Sequence, residues 1–154
     1  MLISDLFQIQ KNIDTTVSIN EDLSDYKLTA RKSLSLHIKI SDLANETKCC
    51  AYTNDSDAIK DETSVLRKYV SCFQQILSIG NDNEYSISLE SVDAIASDYC
   101  LSDQFLNLYI DINDLIISKS EDHFVTLCED FLSIGLKLGY NENKIREAFK
   151  DFAS

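Results

Sequence analysis

Proline and tryptophan are absent from the 154 residues, glycine occurs three times, and only two histidines and one methionine are present. With no proline, and glycine only at Gly80, Gly135 and Gly139, the chain has few helix breakers, which favours long helices over tightly turned β architecture. The histidines, His37 and His123, stand far apart, and none of the five cysteines shows C-x-x-C spacing. A zinc site is therefore not expected. A Ser-His-Asp or Cys-His site has no local signature here. The one glycine pair, "GLKLG", lacks the strand before it and the Lys-Ser/Thr after it that a phosphate loop needs. Positive charge is also scarce: 14 Lys and Arg against 26 Asp and Glu, for a net charge of −12. That argues against a binder of nucleic-acid backbone or of anionic membranes. It leaves a self-repelling soluble protein, a binder of metal cations, or an acidic mimic of nucleic acid. No apolar run approaches the roughly 18–20 residues of a membrane span. The start, "MLISDLFQIQKNID", has no basic stretch and meets Asp5 early, unlike a secretion signal. Free thiols and a cytoplasmic location are the expectation.

What is present is helical spacing. A hydrophobic fraction of 44% with 26% charged residues suits one globular domain over 1–154. Leu6, Ile9, Ile13 and Val17 form a stripe over about 2–17. A stronger one, Leu66, Tyr69, Val70, Phe73, Ile76 and Leu77, predicts a helix over about 62–79, with Gly80 as its stop. Phe105, Leu108, Tyr109, Ile112, Leu115 and Ile116 mark another. "SKSE", residues 118–121, has capping-box spacing before a helix through Phe124, Leu127, Phe131, Ile134 and Leu138, closed by Gly139. Ile145, Ala148, Phe149 and Phe152 define a last short helix. The polar segments "NEDLSDY" and "TNDSDAIKDE" read as connectors. "SLSLHIKI", residues 33–40, and "EYSISLE", residues 84–90, alternate like strands. Leu36, Ile40, Leu43 and Ala44 also fit a helical stripe, so a helix over 30–50 is expected. A lone hairpin between long helices packs poorly. "FQQILSIG" at 73–80 echoes "CEDFLSIG" at 128–135, so either two related hairpins meet about a pseudo-twofold axis or two amphipathic helices are alike by chance.

Carboxylates on helices are the remaining chemistry, with Asp42 and Glu46 four residues apart on one face. Hard oxygen ligands of this kind suit Mg²⁺. Lys39, three residues before Asp42, shares that face, and an ordinary solvated helix surface accounts for all three. In order, "LFQIQKNID", "DLANETKCCAY", "LRKYVSCFQQILSIG" and "LGYNENKIREAF" resemble the dimeric, all-α dUTP diphosphatases, a branch of the MazG-like nucleotide pyrophosphohydrolases. The likeness covers nearly the whole chain.

The resemblance implies an all-α multi-helix bundle, a homodimer, and Mg²⁺-dependent hydrolysis of dUTP to dUMP. It also implies a metal site of an E-x-x-E pair on one helix and an E-x-x-D pair on the next. Those positions fall on Lys39 and Asp42, and on Lys68 and Ser71. One carboxylate survives and two positions are cationic, so the four carry about +1 where the family carries about −4. Glu46, one turn after Asp42, would be a relocated ligand in a rebuilt Mg²⁺ site, with Asp61 or Glu62 as further candidates. The uracil-side glutamine corresponds to Gln10 and the polar residue four later to Asp14. Of the nucleotide-side Lys and aromatic pair, Tyr52 remains, while Ala51 and Thr53 replace the others. Gln74 stands where the family has histidine, and its basic C-terminal tail has no counterpart before Ser154. The resemblance thus implies a divergent, catalytically inactive member, needing no cofactor. It would act by binding a regulatory protein or a deoxyuridine nucleotide, with no membrane or direct nucleic-acid role. The alternatives are an active diphosphatase with a rebuilt Mg²⁺ site and an acidic interaction module.

Overall fold

The computed structural model describes residues 1–53 and 60–153; residues 54–59 of the second polar connector lie outside the described residues. Among the described residues there are six α-helices: α1 (Ser4–Thr16), α2 (Asp25–Glu46), α3 (Glu62–Asp82), α4 (Leu101–Ile117), α5 (Glu121–Lys137) and α6 (Glu142–Asp151). Among the described residues, no helix is long and apolar enough to cross a membrane.

The alternating stretch at 33–40 lies within α2. Its helical spacing buries Leu36, Ile40 and Leu43 and leaves Leu34 and Ile38 exposed. Ser24 caps the helix by accepting the Lys27 N–H at 3.3 Å. The second alternating stretch is a short 3-10 turn, Tyr85–Ile87. It leads into a segment that meets the N-terminus, where Ile3 donates to the Glu90 carbonyl and Val92 to that of Met1, both at 2.9 Å. Several expected boundaries shift, and the helix expected over 30–50 runs from Asp25 to Glu46. α5 is capped by Ser120, which accepts the His123 N–H at 3.2 Å, two residues later than the "SKSE" spacing places the cap. In α1 the inward side is Leu6, Phe7 and Gln10, while Val17 is exposed.

α2 with α3, and α4 with α5, form two antiparallel hairpins. Lys32 and Glu46 of α2 meet Ser78 and Lys68 of α3, and Asn107 of α4 meets Asp130 of α5. The hairpins join through α3 and α5 in the core, and through α2 and α4 beside it.

The glycine expected to stop α3 does something else. α3 continues past Gly80 to Asp82, and a Cβ at Gly80 would lie 2.5 Å from the Phe124 ring and 2.8 Å from that of Phe7. A Cβ at Gly135 of α5 would lie 2.4 Å from the Tyr69 hydroxyl. The contacts are reciprocal. Tyr69 stands eleven residues before Gly80, and Phe124 eleven before Gly135. Eleven residues are about three turns, so ring and glycine share one face of each helix. Each "LSIG" glycine therefore admits the ring from the opposite helix, as a pseudo-twofold axis between α3 and α5 requires. The repeated string is a packing device in both hairpins. Gly139, with φ +83°, takes the helix-ending role in α5.

The mapped quartet on α2 and α3

Both mapped pairs lie where α2 and α3 face each other. Lys68 Nζ stands 3.7 Å from Glu46 Oε2, tying the C-terminal end of α2 to the N-terminal half of α3. Cys72, buried one turn after Lys68, lies within reach of the charges of Lys39, Asp42 and Lys68. Burial is the main reason its thiol is pushed up to about 12. Lys39, Asp42 and Lys68 thus lie around one buried thiol, with Glu46 beside Lys68. Ser71, three residues after Lys68, lies on the same side of α3.

Gln10 and Asp14 form a second group. Gln10, only 4% exposed, donates through Nε2 to Asp14 Oδ1 at 2.8 Å. Asp14 Oδ2 accepts from the Ser78 hydroxyl at 2.9 Å, and Ser78 Oγ accepts from Lys32 Nζ at 2.7 Å. Lys32 also pairs with Asp82. A polar chain thus crosses α1, α3 and α2, and Gln10 Oε1 is buried with no partner. Lys32 precedes Lys39 by seven residues, so this chain sits about 10 Å along α2 from the quartet. The stripe on α1 gave no sign of it, because an inward glutamine breaks the apolar pattern. The resemblance had named Gln10 and Asp14, and their i, i+4 spacing lets them bond.

Tyr52 is gathered into neither group; it is 95% exposed, just past the turn that ends α2. Asp61 is the N-cap of α3, accepting the N–H groups of Thr63 and Ser64 at 3.0 and 3.2 Å. Glu62 pairs with Lys60 at 3.1 Å. Asp61 and Glu62, the further candidates for a rebuilt site beside Asp42 and Glu46, thus serve in a cap and a surface pair. A groove of about 590 Å³ between α2 and α4, lined among others by Tyr26, Leu34, His37 and Ile116, includes none of the mapped residues.

A family model described as dUTPase matches residues 2–152. The chain belongs to the all-α dUTPase family. No curated protein and no solved structure matches it.

The six-helix architecture agrees with that membership, and the donor set can be weighed against the Mg²⁺ on which dUTPase chemistry depends. Such an ion takes several oxygen ligands, carboxylates first. Among the described residues, no three of His, Cys, Asp and Glu gather closely enough to hold a metal. Asp42 shares its face with the Lys39 ammonium, and Glu46 faces Lys68. These residues do not fit the ion, and no step of hydrolysis is derived through it.

Proposed function

We propose that this chain is a member of the dUTPase family that has lost Mg²⁺-dependent hydrolysis and acts by binding, as a homodimer. The observation that supports this most is the Lys68–Glu46 contact across α2 and α3. One ammonium group stands at a mapped ligand position and takes up a carboxylate that would otherwise serve as a substitute ligand. Two like unit charges about 4 Å apart repel by roughly 4 kcal/mol at an effective dielectric of 20, and a divalent ion doubles that. Lys39 and Lys68 therefore disfavour the ion as well as failing to ligate it. The hydrophobic core, by contrast, is filled: Tyr69, Val70, Phe73, Ile76 and Leu77 of the same helix are buried. A scaffold kept whole around an altered site fits selection for shape and binding.

Purified protein with dUTP and Mg²⁺ should release neither pyrophosphate nor phosphate above background. Sustained Mg²⁺-dependent turnover would overturn the reading. The triple variant Lys39→Glu, Lys68→Glu, Ser71→Asp should gain Mg²⁺ or Mn²⁺ affinity by calorimetry, because it restores three carboxylates beside Asp42. Light scattering should give twice the mass of one chain.

A further inference from the structure

Two of the five thiols are sealed in the core: Cys72 and Cys128 are fully buried, and burial pushes both well above the usual thiol range. The other three, an adjacent pair and one fifty residues further on, stand at one end of the α2–α4 pair. Cys49 and Cys50 follow α2, and Cys100 is the N-cap of α4. α2 and α4 run antiparallel, with the His37 and Tyr109 rings stacked 5.6 Å apart and Ser41 Oγ 2.6 Å from the Tyr109 hydroxyl. From that contact Cys49 lies eight residues forward along α2 and its terminal turn, and Cys100 nine residues back along α4. Both steps run in the same direction, and α2 ends at Glu46 just before Cys49, so the two cysteines stand at the same end of the α2–α4 pair.

The chain around Cys49 is folded to hold it there. Lys48 adopts φ +60°, turning the backbone off the end of α2. The Cys49 N–H donates to Thr47 Oγ1 at 3.3 Å, and its thiol lies 3.6 Å from the Ala44 carbonyl. Cys49 is half-buried, and Cys50 and Cys100 are exposed. The Cys49 thiol is pushed up, chiefly by burial, with smaller contributions from Cys50 and Cys100. Cys100 Sγ rests 3.2 Å from the Ser102 hydroxyl.

We propose that Cys49 and Cys100 form a redox modification site that closes to an intramolecular disulfide and staples the two helical hairpins together. With a small-molecule disulfide as oxidant, the Cys100 thiolate attacks one of its sulfurs and releases one small thiol. The Cys49 thiolate then attacks the Cys100 sulfur, forming the internal bond and releasing the second. Two electrons pass to the oxidant, and the two protons lost by the protein thiols end on the released ones. The bond would fix the start of α4 against the turn that follows Glu46, beside the mapped quartet.

The test uses the full chain, reduced, freed of reductant, and exposed to oxidised glutathione. The free-thiol count in denaturant should fall from five to three, and peptide mapping should show a Cys49–Cys100 link within one chain. The midpoint of thermal unfolding should rise by roughly 5 °C or more, because the closed loop is long. Cys50→Ser should still close, and Cys100→Ser should not. Stable glutathione adducts on Cys49 and Cys100, a Cys49–Cys50 link, links only between chains, or failure of Cys50→Ser to close would each overturn the proposal.

Discussion

Replacing Asp111 by asparagine should stabilise the protein at pH 8 and remove part of its pH dependence. Asp111 sits on α4, 8% exposed, against Asp130 of α5. Its Oδ2 is buried with no partner, and the amide of Asn107, one turn earlier on α4, donates to Asp130 at 2.7 Å. Burial first, then the hydrogen bond and charge of Asp130, then the charge of Asp114, raise its carboxyl from 3.8 to about 7. Between those values the folded protein holds a proton that the unfolded chain has released. Stability therefore falls as pH rises through that window, and the loss is complete above about pH 7. A rise of about three units corresponds to about 4 kcal/mol in a rigid, dry site. Asp130 is only half-buried, and solvent screening around it brings the expected loss to about 2 kcal/mol. An asparagine at 111 keeps a hydrogen-bonding group and carries no charge. Urea unfolding at pH 5, 6, 7 and 8 would measure this through the transition midpoint. Wild type should weaken from pH 5 to 8, and Asp111→Asn should stay level and be the more stable at pH 8 by about 1–2 kcal/mol. Parallel curves for the two proteins, or a variant less stable at pH 8, would refute the reasoning.

Gly135→Ala should destabilise by about 1–3 kcal/mol, because its Cβ meets the Tyr69 ring. Adding Tyr69→Phe should recover part of the loss in thermal melts by removing the nearest atom. Gly80→Ala, whose Cβ meets the Phe124 and Phe7 rings, should cost a similar amount; a neutral result at both glycines would exclude the reciprocal packing. Arg146 of α6 donates to both Asp5 carboxylate oxygens, at 2.8 and 2.7 Å, and to the Leu2 carbonyl. Burial pushes the Asp5 carboxyl up, but the hydrogen bond and charge of Arg146 outweigh it and hold it below its ordinary value. The stability from this pair is present above about pH 4 and lost as pH falls further. Arg146→Ala should cost about 1 kcal/mol at neutral pH, since Asp5 is half-exposed, and the gap from wild type should close in acid-unfolding curves.

The difference between the two kinds of glycine shows what helical spacing can carry. Gly139 reads correctly as a helix end because a positive φ is a local property of the backbone. Gly80 does not, because what keeps it glycine is a ring on another helix. The same holds for α1, where the apolar stripe pointed to Val17 and the structure turned Phe7 and Gln10 inward. An inward amide makes sense only beside Asp14 and the Ser78–Lys32 chain.

The sequence by itself determined that this is a helical chain of the all-α dUTPase family, with lysines at 39 and 68, where the proposed function reads lost metal ligands. Composition, periodicity and residue type are written along the chain and need no partner. Only the tertiary structure decided that Lys68 faces Glu46, that Asp61 and Glu62 are spent on a cap and a surface pair, and that Tyr52 stands outside the groups formed by its fellow candidates. It also placed Cys49 and Cys100 at the same end of the α2–α4 pair and Asp111 beside Asp130. Each of these depends on how one helix is rotated and shifted against another. That register is set by packing across the whole core, where no short stretch of sequence records it.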